Sequence, residues 1–470
     1  MTRDLLINAI PGETRAALVE DGKLSEFRVM RRGMGPHRGD ILLGRIEKVL
    51  PNLSAAFVDI GAARSGFLAL RAGAKYTEGE AVVVQVTKEA VADKGPAVST
   101  VISLGSGLVA FLPFGEGVKV SRRITNEAER NRLIAAAEGL IQGEGGLILR
   151  TAAQGAERSM LEGALSALQS TWTKLSNGIA SGEISAPAYL FGSEDGLSAV
   201  LRDYGGLADK IHIDLMSAVL AARKLVDGPL PELAGKLTHH REGAVFDLFD
   251  VAEEIDGLAS RVVALPSGGS LIIDEAEAMT VIDVNTARHA ARRQAGEIHL
   301  AVNLEAADEI ARQVRLRNLS GLIIVDLIRM EENADRRRVV DAFGAAFASD
   351  PAGAQIHGLT RTGLLEITRS RSHTPLSHVM FGPCPLCRGG GRIKAPLSLA
   401  YEALRGLLHE GRLRPAGTVS LTAASDVINR LEGVARDDLK AVEELIGRNV
   451  ELRAAADFAP ERLEISILEG

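Results

Sequence analysis

The chain has 470 residues, too many for one ordinary core, so two to four domains are expected. Hydrophobic residues make up 46% and charged residues 24%, which excludes a disordered or membrane-embedded chain and fits a globular, soluble one. The formal net charge of −7, taken globally, argues against a nucleic-acid partner.

The N-terminus, MTRDLLINAIPGE, lacks the apolar stretch of a secretory signal, and no run approaches the ~18 apolar residues of a membrane helix. A cytoplasmic location is therefore expected. Residues 3 to 30 alternate apolar and polar around PGE and EDGK, which predicts short strands with turns. Gly39 to Leu70 continues in short β-branched runs broken by glycine. With EAVVVQVTKEAVADKGPAVST it predicts a small five-strand barrel of the OB type. AERNRLIAAAEGLI and ERSMLEGALSALQSTWTKL read as amphipathic helices flanking the strand GLILRTA. Val262 to Asn285 holds three strands with a PSGG turn, NLEAADEIARQVRLRNL is a helix, and SGLIIVDLI reads as a fully buried strand. A helix follows from Leu397 to Glu410, then two strand-like runs around the helix DDLKAVEELIG.

Basic residues cluster locally. They occur at Arg122-Arg123, Arg292-Arg293 and Arg336 to Arg338. Between Gln355 and Ala395, Arg361, Arg369, Arg371, Arg388, Arg392 and Lys394 face the single acid Glu366. Phosphate contacts depend on such patches, because screening confines charge effects to about 10 Å. Arg336 to Arg338 reads as a solvated helix face.

Candidate chemistry sits in TVIDVNTAR and GLIIVDLI. On a strand, period two puts Asp283 and Asn285 on one face. Asp326 follows four apolar residues, and a carboxylate at the end of a buried strand is costly unless paired or metal-bound. The intervening helix makes a β-α-β unit that would set Asp283 and Asp326 side by side at the carboxyl ends of neighbouring strands. Mg²⁺ would relieve their repulsion and accept substrate phosphate as a further ligand, while Asn285 could orient that phosphate or a water. Taken singly, each Asp is more often a helix cap or an ion-pair partner than a metal ligand. Both cysteines of the chain lie in PCPLCRGGGR, where Cys384 and Cys387 form half of a tetrahedral zinc site. His373 and His378 upstream could complete it within the chain, or a second subunit could supply the same two thiolates across a twofold axis. A reduced dithiol without metal is the remaining reading.

PSGGSLIIDEAEAMTVIDVNTAR, NLEAADEIARQVRLRNLSGLIIVDLIRM, GLLEITRSR and CPLCRGGG occur in this order in the ribonuclease E/G family, and the resemblance covers essentially the whole chain. It is to the branch of the family without a long scaffold tail. The resemblance implies a multidomain α/β and β architecture: an RNase H-like domain in two parts (1–33 and 196–260), an OB-fold RNA-binding domain (34–103), a 5′-monophosphate sensor (104–195), a DNase I-like catalytic subdomain (261–379), a zinc link (380–394) and a small α+β C-terminal domain (395–470). It implies a cytoplasmic endoribonuclease that cuts single-stranded RNA by Mg²⁺-assisted water attack, leaves a 5′-phosphate, and serves ribosomal RNA maturation and messenger decay.

By the same resemblance, Asp283 and Asp326 hold magnesium and Asn285 orients substrate. Phe57 and Phe67 stack bases, Lys88 and Lys94 contact phosphates, and Arg150 and Thr151, with Arg122 nearby, sense a 5′-monophosphate. Cys384 and Cys387 share zinc between subunits of a homodimer or dimer of dimers. By pattern alone, Phe57 and Phe67 would more often be barrel core. The sensor strand has two registers, Ser106/Ala110 or Gly105/Val109. Leu42 and Leu43 stand where the family often has an aromatic and a lysine, which predicts a weaker grip on RNA. Arg329 replaces a residue that is usually acidic. The alternatives are a non-catalytic RNA-binding or assembly factor built on a zinc-linked dimer, and a phosphodiesterase acting on DNA.

Overall fold

A computed structural model describes residues 2–468 except 72, 74, 92–93, 142–143, 242, 287–294, 372, 388 and 415. The chain divides into two compact units, Met1–Met380 and Phe381–Gly470.

In the first unit, Arg3–Ile10 pairs antiparallel with Glu13–Glu20 and parallel with Lys210–Ile213, so segments some two hundred residues apart share one five-stranded sheet. The barrel predicted between residues 34 and 103 is present. Ile41–Leu50, Ala55–Asp59, Gly66–Ala69, Ala97–Ser99 and Ala81–Lys88 follow one another, and the first pairs with the last to close the ring. Leu42, Ile46, Val58, Leu68, Val84 and Val98 fill it. Gly44 lies where two strands of the wall approach closely, since a Cβ there would meet Val58 Cγ1 at 2.5 Å and the Asp59 carbonyl oxygen at 2.8 Å. The strand Ile41–Leu50 also pairs with Ala188–Phe191. It is therefore buried on both sides near its start, where Leu42 belongs to the barrel core and Leu43 to the adjoining core with Phe111 and Leu147. Neither leucine faces solvent, so neither offers a contact to RNA where the family often has an aromatic and a lysine.

A six-stranded sheet follows, in the order Val262–Ala264, Ser270–Glu275, Met279–Asn285, Gly321–Asp326, Leu364–Arg369 and Gln355–Leu359. Met279–Asn285 and Gly321–Asp326 run parallel. The helix Ala295–Leu316 connects them, as the β-α-β reading required. This helix and Asn333–Ala346 bury one face through Ile282, Val284, Ile323 and Val325 against Ile310 and Phe343. Burial along Gly321–Asp326 alternates, with Ile323 and Val325 buried and Asp326 exposed. The strand is thus half-buried, not buried on both sides, and Asp326 does not carry the desolvation cost expected of it.

The second unit packs the helices Pro396–Leu413, Ser425–Glu432 and Arg436–Ile446 on a three-stranded sheet, Val450–Ala454, Thr418–Ala423 and Leu463–Leu468. The middle helix has eight residues, too short for its periodicity to stand out in the sequence. Among the described residues, no helix is long and apolar enough to cross a membrane.

Candidate active site and nucleic-acid interface

Asp283 and Asp326 are direct cross-strand partners at the carboxyl ends of two parallel strands. Period two sends Ile282 and Val284 into the core and leaves Asp283 and Asn285 half-buried on the opposite, uncovered face. Asn285 Nδ2 donates to Asp283 Oδ2 at 2.8 Å, which fixes the amide beside the carboxylate. The result is an open polar patch with two adjacent carboxylates and one oriented amide, the donor set a hard divalent cation takes when phosphate and water complete its shell. Glu366, on the next strand opposite Ile324, faces the same way. No group of three or more His, Cys, Asp or Glu side chains among the described residues is gathered closely enough to hold a metal unaided. Arg288, Arg292, Arg293 and Arg388 lie outside the described residues. Arg329 is exposed just past Asp326. Arg336 donates to the Met330 carbonyl oxygen while Arg337 and Arg338 are exposed, the solvated face expected of them.

On the barrel, Phe57 and Phe67 are cross-strand partners whose rings meet edge to face at 6.1 Å. They are 37% and 39% exposed, so they stand on the barrel's outer surface and not in its core. Lys88 and Lys94 are exposed as well.

Arg150 and Thr151 open onto a cavity of about 1210 Å³ within the first unit, lined by eight arginines against four carboxylates. That balance suits an anion. Arg150 Nη1 donates to the carbonyl oxygens of Ser106 and Arg202, and burial depresses the guanidinium below its ordinary value. The Thr151 hydroxyl lies 3.1 Å from that of Ser121. Gly105 and Ala110 are cross-strand partners and both line the cavity, whereas Ser106 and Val109 are fully buried behind it. Each candidate register thus contributes one residue. Arg122 is exposed and is not part of the cavity wall. The wall includes Arg123, which donates to the carbonyl oxygens of Asp350 and Pro351 and so ties this region to the six-stranded sheet. Adjacent in the chain, the two arginines cannot be told apart by pattern, and only the cavity wall separates them. Deeper in, burial opposes ionisation of Asp203, but Arg202 and Arg28 outweigh it and hold the carboxyl down at about 2. His373 Nδ1 lies 3.0 Å from Arg28 Nη2 and 3.3 Å from Glu89 Oε1, and burial with Arg28 depresses its basicity.

Cys384 and Cys387 are free thiols on a turn that ends in Gly389 and Gly391, both at positive φ. The backbone N–H groups of Cys387 and Leu386 point at the Cys384 sulfur and, with the Cys387 thiol, lower its pKa. A turn that aims amides at sulfur favours the thiolate, the form that binds metal.

The chain matches the family model "Ribonuclease E/G family" over residues 103–372 and the model "RNase E/G, Thioredoxin-like domain" over 383–468. It is 33% identical to ribonuclease G of Escherichia coli over 100% of both chains. It is 33% identical to ribonuclease G of Haemophilus influenzae over 99% of both. Ribonuclease E of a Nostoc species is 37% identical over 80% of this chain and 57% of its own. With one family model spanning more than half its length and full-length relatives at this identity, the chain belongs to the ribonuclease E/G family.

Proposed function

We propose that the protein is an endoribonuclease of RNA processing and decay that cleaves single-stranded RNA by metal-assisted water attack. The observation that carries this reading is the register pairing of Asp283 with Asp326, with Asn285 bonded to Asp283 on an open face. Asp283 and Asp326 would hold Mg²⁺. When bound, the cation supplies charge neutralisation at the scissile phosphate and acidifies water for attack. Asn285 presents its amide beside that phosphate and limits its rotation. Water attack leaves a 5′-phosphate and a 3′-hydroxyl. Phe57 and Phe67 offer faces for two unpaired bases, and Lys88 and Lys94 offer charge for the backbone. The barrel would serve a binding factor equally; the Asp283, Asn285 and Asp326 set is what favours an enzyme.

The subdomains are read as RNase H-like, OB-fold, 5′-sensor and DNase I-like. In the sensor, Arg150 and Thr151 would receive a 5′-monophosphate with Gly105 and Ala110 opposite, and Arg123, which lines the wall, would take the place expected of Arg122. Zn²⁺ fits the Cys384–Cys387 turn, where amides already support a thiolate, and one chain provides half of the ligands. The other half would come from a second copy, giving a homodimer or a dimer of dimers. A cytoplasmic site of action follows from this substrate.

The test is cleavage of a short unpaired oligoribonucleotide in Mg²⁺, with 5′-monophosphate and 5′-hydroxyl forms compared. Asp283→Asn should lower the rate by orders of magnitude with RNA affinity nearly intact. Arg150→Ala should slow the monophosphate form about ten- to hundredfold more than the hydroxyl form, the range of one charge-assisted contact. Near-normal Mg²⁺-dependent cleavage by Asp283→Asn would refute the metal site. An equal loss on both substrates would make Arg150 structural.

A further inference from the structure

A single cross-strand row runs over the outside of the barrel. Lys48 is the partner of Phe57, Phe57 of Phe67, Phe67 of Ala97, and Ala97 of Lys88. Both ends of the row depend on a defect in the ladder. The register shifts between Ile46 and Lys48, and again between Val86 and Lys88. Ile46 and Val86 are 1% exposed and point into the barrel. Strict alternation would turn the residue two positions on, Lys48 or Lys88, inward with them. The extra residue at each irregularity, Glu47 or Thr87, reverses that, and both lysines emerge exposed on the aromatic face. An exposed lysine is by itself ordinary surface. Two ladder irregularities that each re-aim a lysine onto the same row, one beyond either end of an exposed aromatic pair, are not. Neither lysine forms an ion pair among the described residues, so both ammonium groups remain open to an anion.

We propose that Lys48 is a phosphate-binding residue, and that Lys48 and Lys88 mark the two ends of an RNA path whose middle bases stack on Phe57 and Phe67. The proposal rests on the RNA-binding reading of the barrel. Ala97, the only small side chain in the row, leaves room between Phe67 and Lys88 for the backbone to descend to the sheet. Two stacked bases flanked by two phosphate contacts make a path of about four nucleotides, the short end of the range for an OB fold.

The test is binding of a 3′-fluorescein-labelled, unpaired ten-nucleotide RNA to the full chain in Mg²⁺-free buffer, by anisotropy, from about 50 to 200 mM KCl. Without Mg²⁺, cleavage does not enter the readout. Each phosphate contact contributes about 0.7 to the salt slope for a single strand. Lys48→Ala should therefore flatten the slope by about 0.7 and weaken binding about fivefold near 0.1 M salt, while Lys48→Arg stays near wild type. A Lys48→Ala protein with wild-type affinity and slope, beside a Phe57→Ala/Phe67→Ala protein that binds weakly, would remove Lys48 from the path and leave the barrel reading standing. Weaker binding with an unchanged slope would also reject a phosphate contact. Wild-type binding by the lysine and phenylalanine variants alike would overturn the barrel reading itself.

Discussion

Glu26 shows how one residue can set a pH dependence far from the chemistry. It lies in the strand Lys23–Arg31 with its carboxylate 3.2 Å from Arg315 Nε. An ion pair at that distance would ordinarily hold a carboxyl low. Burial is the larger effect here, and it pushes the Glu26 pKa up to about 7 despite Arg315 and Arg369. The folded protein therefore holds this proton more tightly than the unfolded chain, in which the group titrates near 4.5. The stabilisation from the bound proton is complete below about pH 4.5 and is lost as the pH rises through 7. The spread between those two values corresponds to a few kcal/mol, on the order of 3. Glu26→Gln removes the titration. Urea unfolding between pH 5 and 8 should show wild-type stability falling relative to Glu26→Gln as pH rises. Parallel curves would mean that Glu26 stays ionised in the folded state.

At the scale of elements, the proposed active face depends on how the loop after Asp326 is held. Asn303, fully buried in the helix Ala295–Leu316, donates to the Ile328 carbonyl oxygen at 2.8 Å and accepts from the Ile328 N–H at 3.0 Å. Both backbone groups of one loop residue are thereby satisfied by one side chain. Asn303→Ala leaves them unpaired and should cost on the order of 2 kcal/mol. The loop two residues beyond Asp326 would loosen, so kcat for cleavage should fall more than the barrel's RNA affinity. Unchanged chemical denaturation would show that solvent replaces the asparagine. The helix, the two strands and the Asp283–Asn285 spacing were legible because apolar periodicity and period-two alternation are local properties. Which face of Gly321–Asp326 stays open was not, because four apolar residues in a row look alike whether one side or both is covered. The barrel's strands were legible for the same local reason. The outward stance of Phe57 and Phe67 was not, since it depends on how the ring closes, and the ladder irregularities before Lys48 and Lys88 leave no mark in the sequence.

At the scale of the molecule, the two cysteines raise a question of stoichiometry. They belong to the second compact unit, and one chain offers two thiolates where a structural zinc site takes four ligands. The completion within one chain would use His373 and His378. His378 is exposed, but His373 is mostly buried, with Nδ1 facing Arg28 and Glu89 in the wall of the arginine-lined cavity. Recruiting it would break that cluster and leave Glu89, which His37 and His373 hold well below the ordinary carboxylate range against the effect of burial, without one of its donors. A second copy of the turn carries no such cost, because Cys384 is exposed and Gly389 to Gly391 have no side chains to obstruct a symmetric approach. Metal analysis beside light scattering should give one zinc for every two chains. Cys384→Ser with Cys387→Ser should be zinc-free and dissociate, to monomers from a dimer or to dimers from a tetramer, while His373→Ala should keep its zinc. One zinc per chain, or zinc lost on His373→Ala or His378→Ala with both cysteines intact, would assign the missing ligands to the histidines and the dimer contact to another surface.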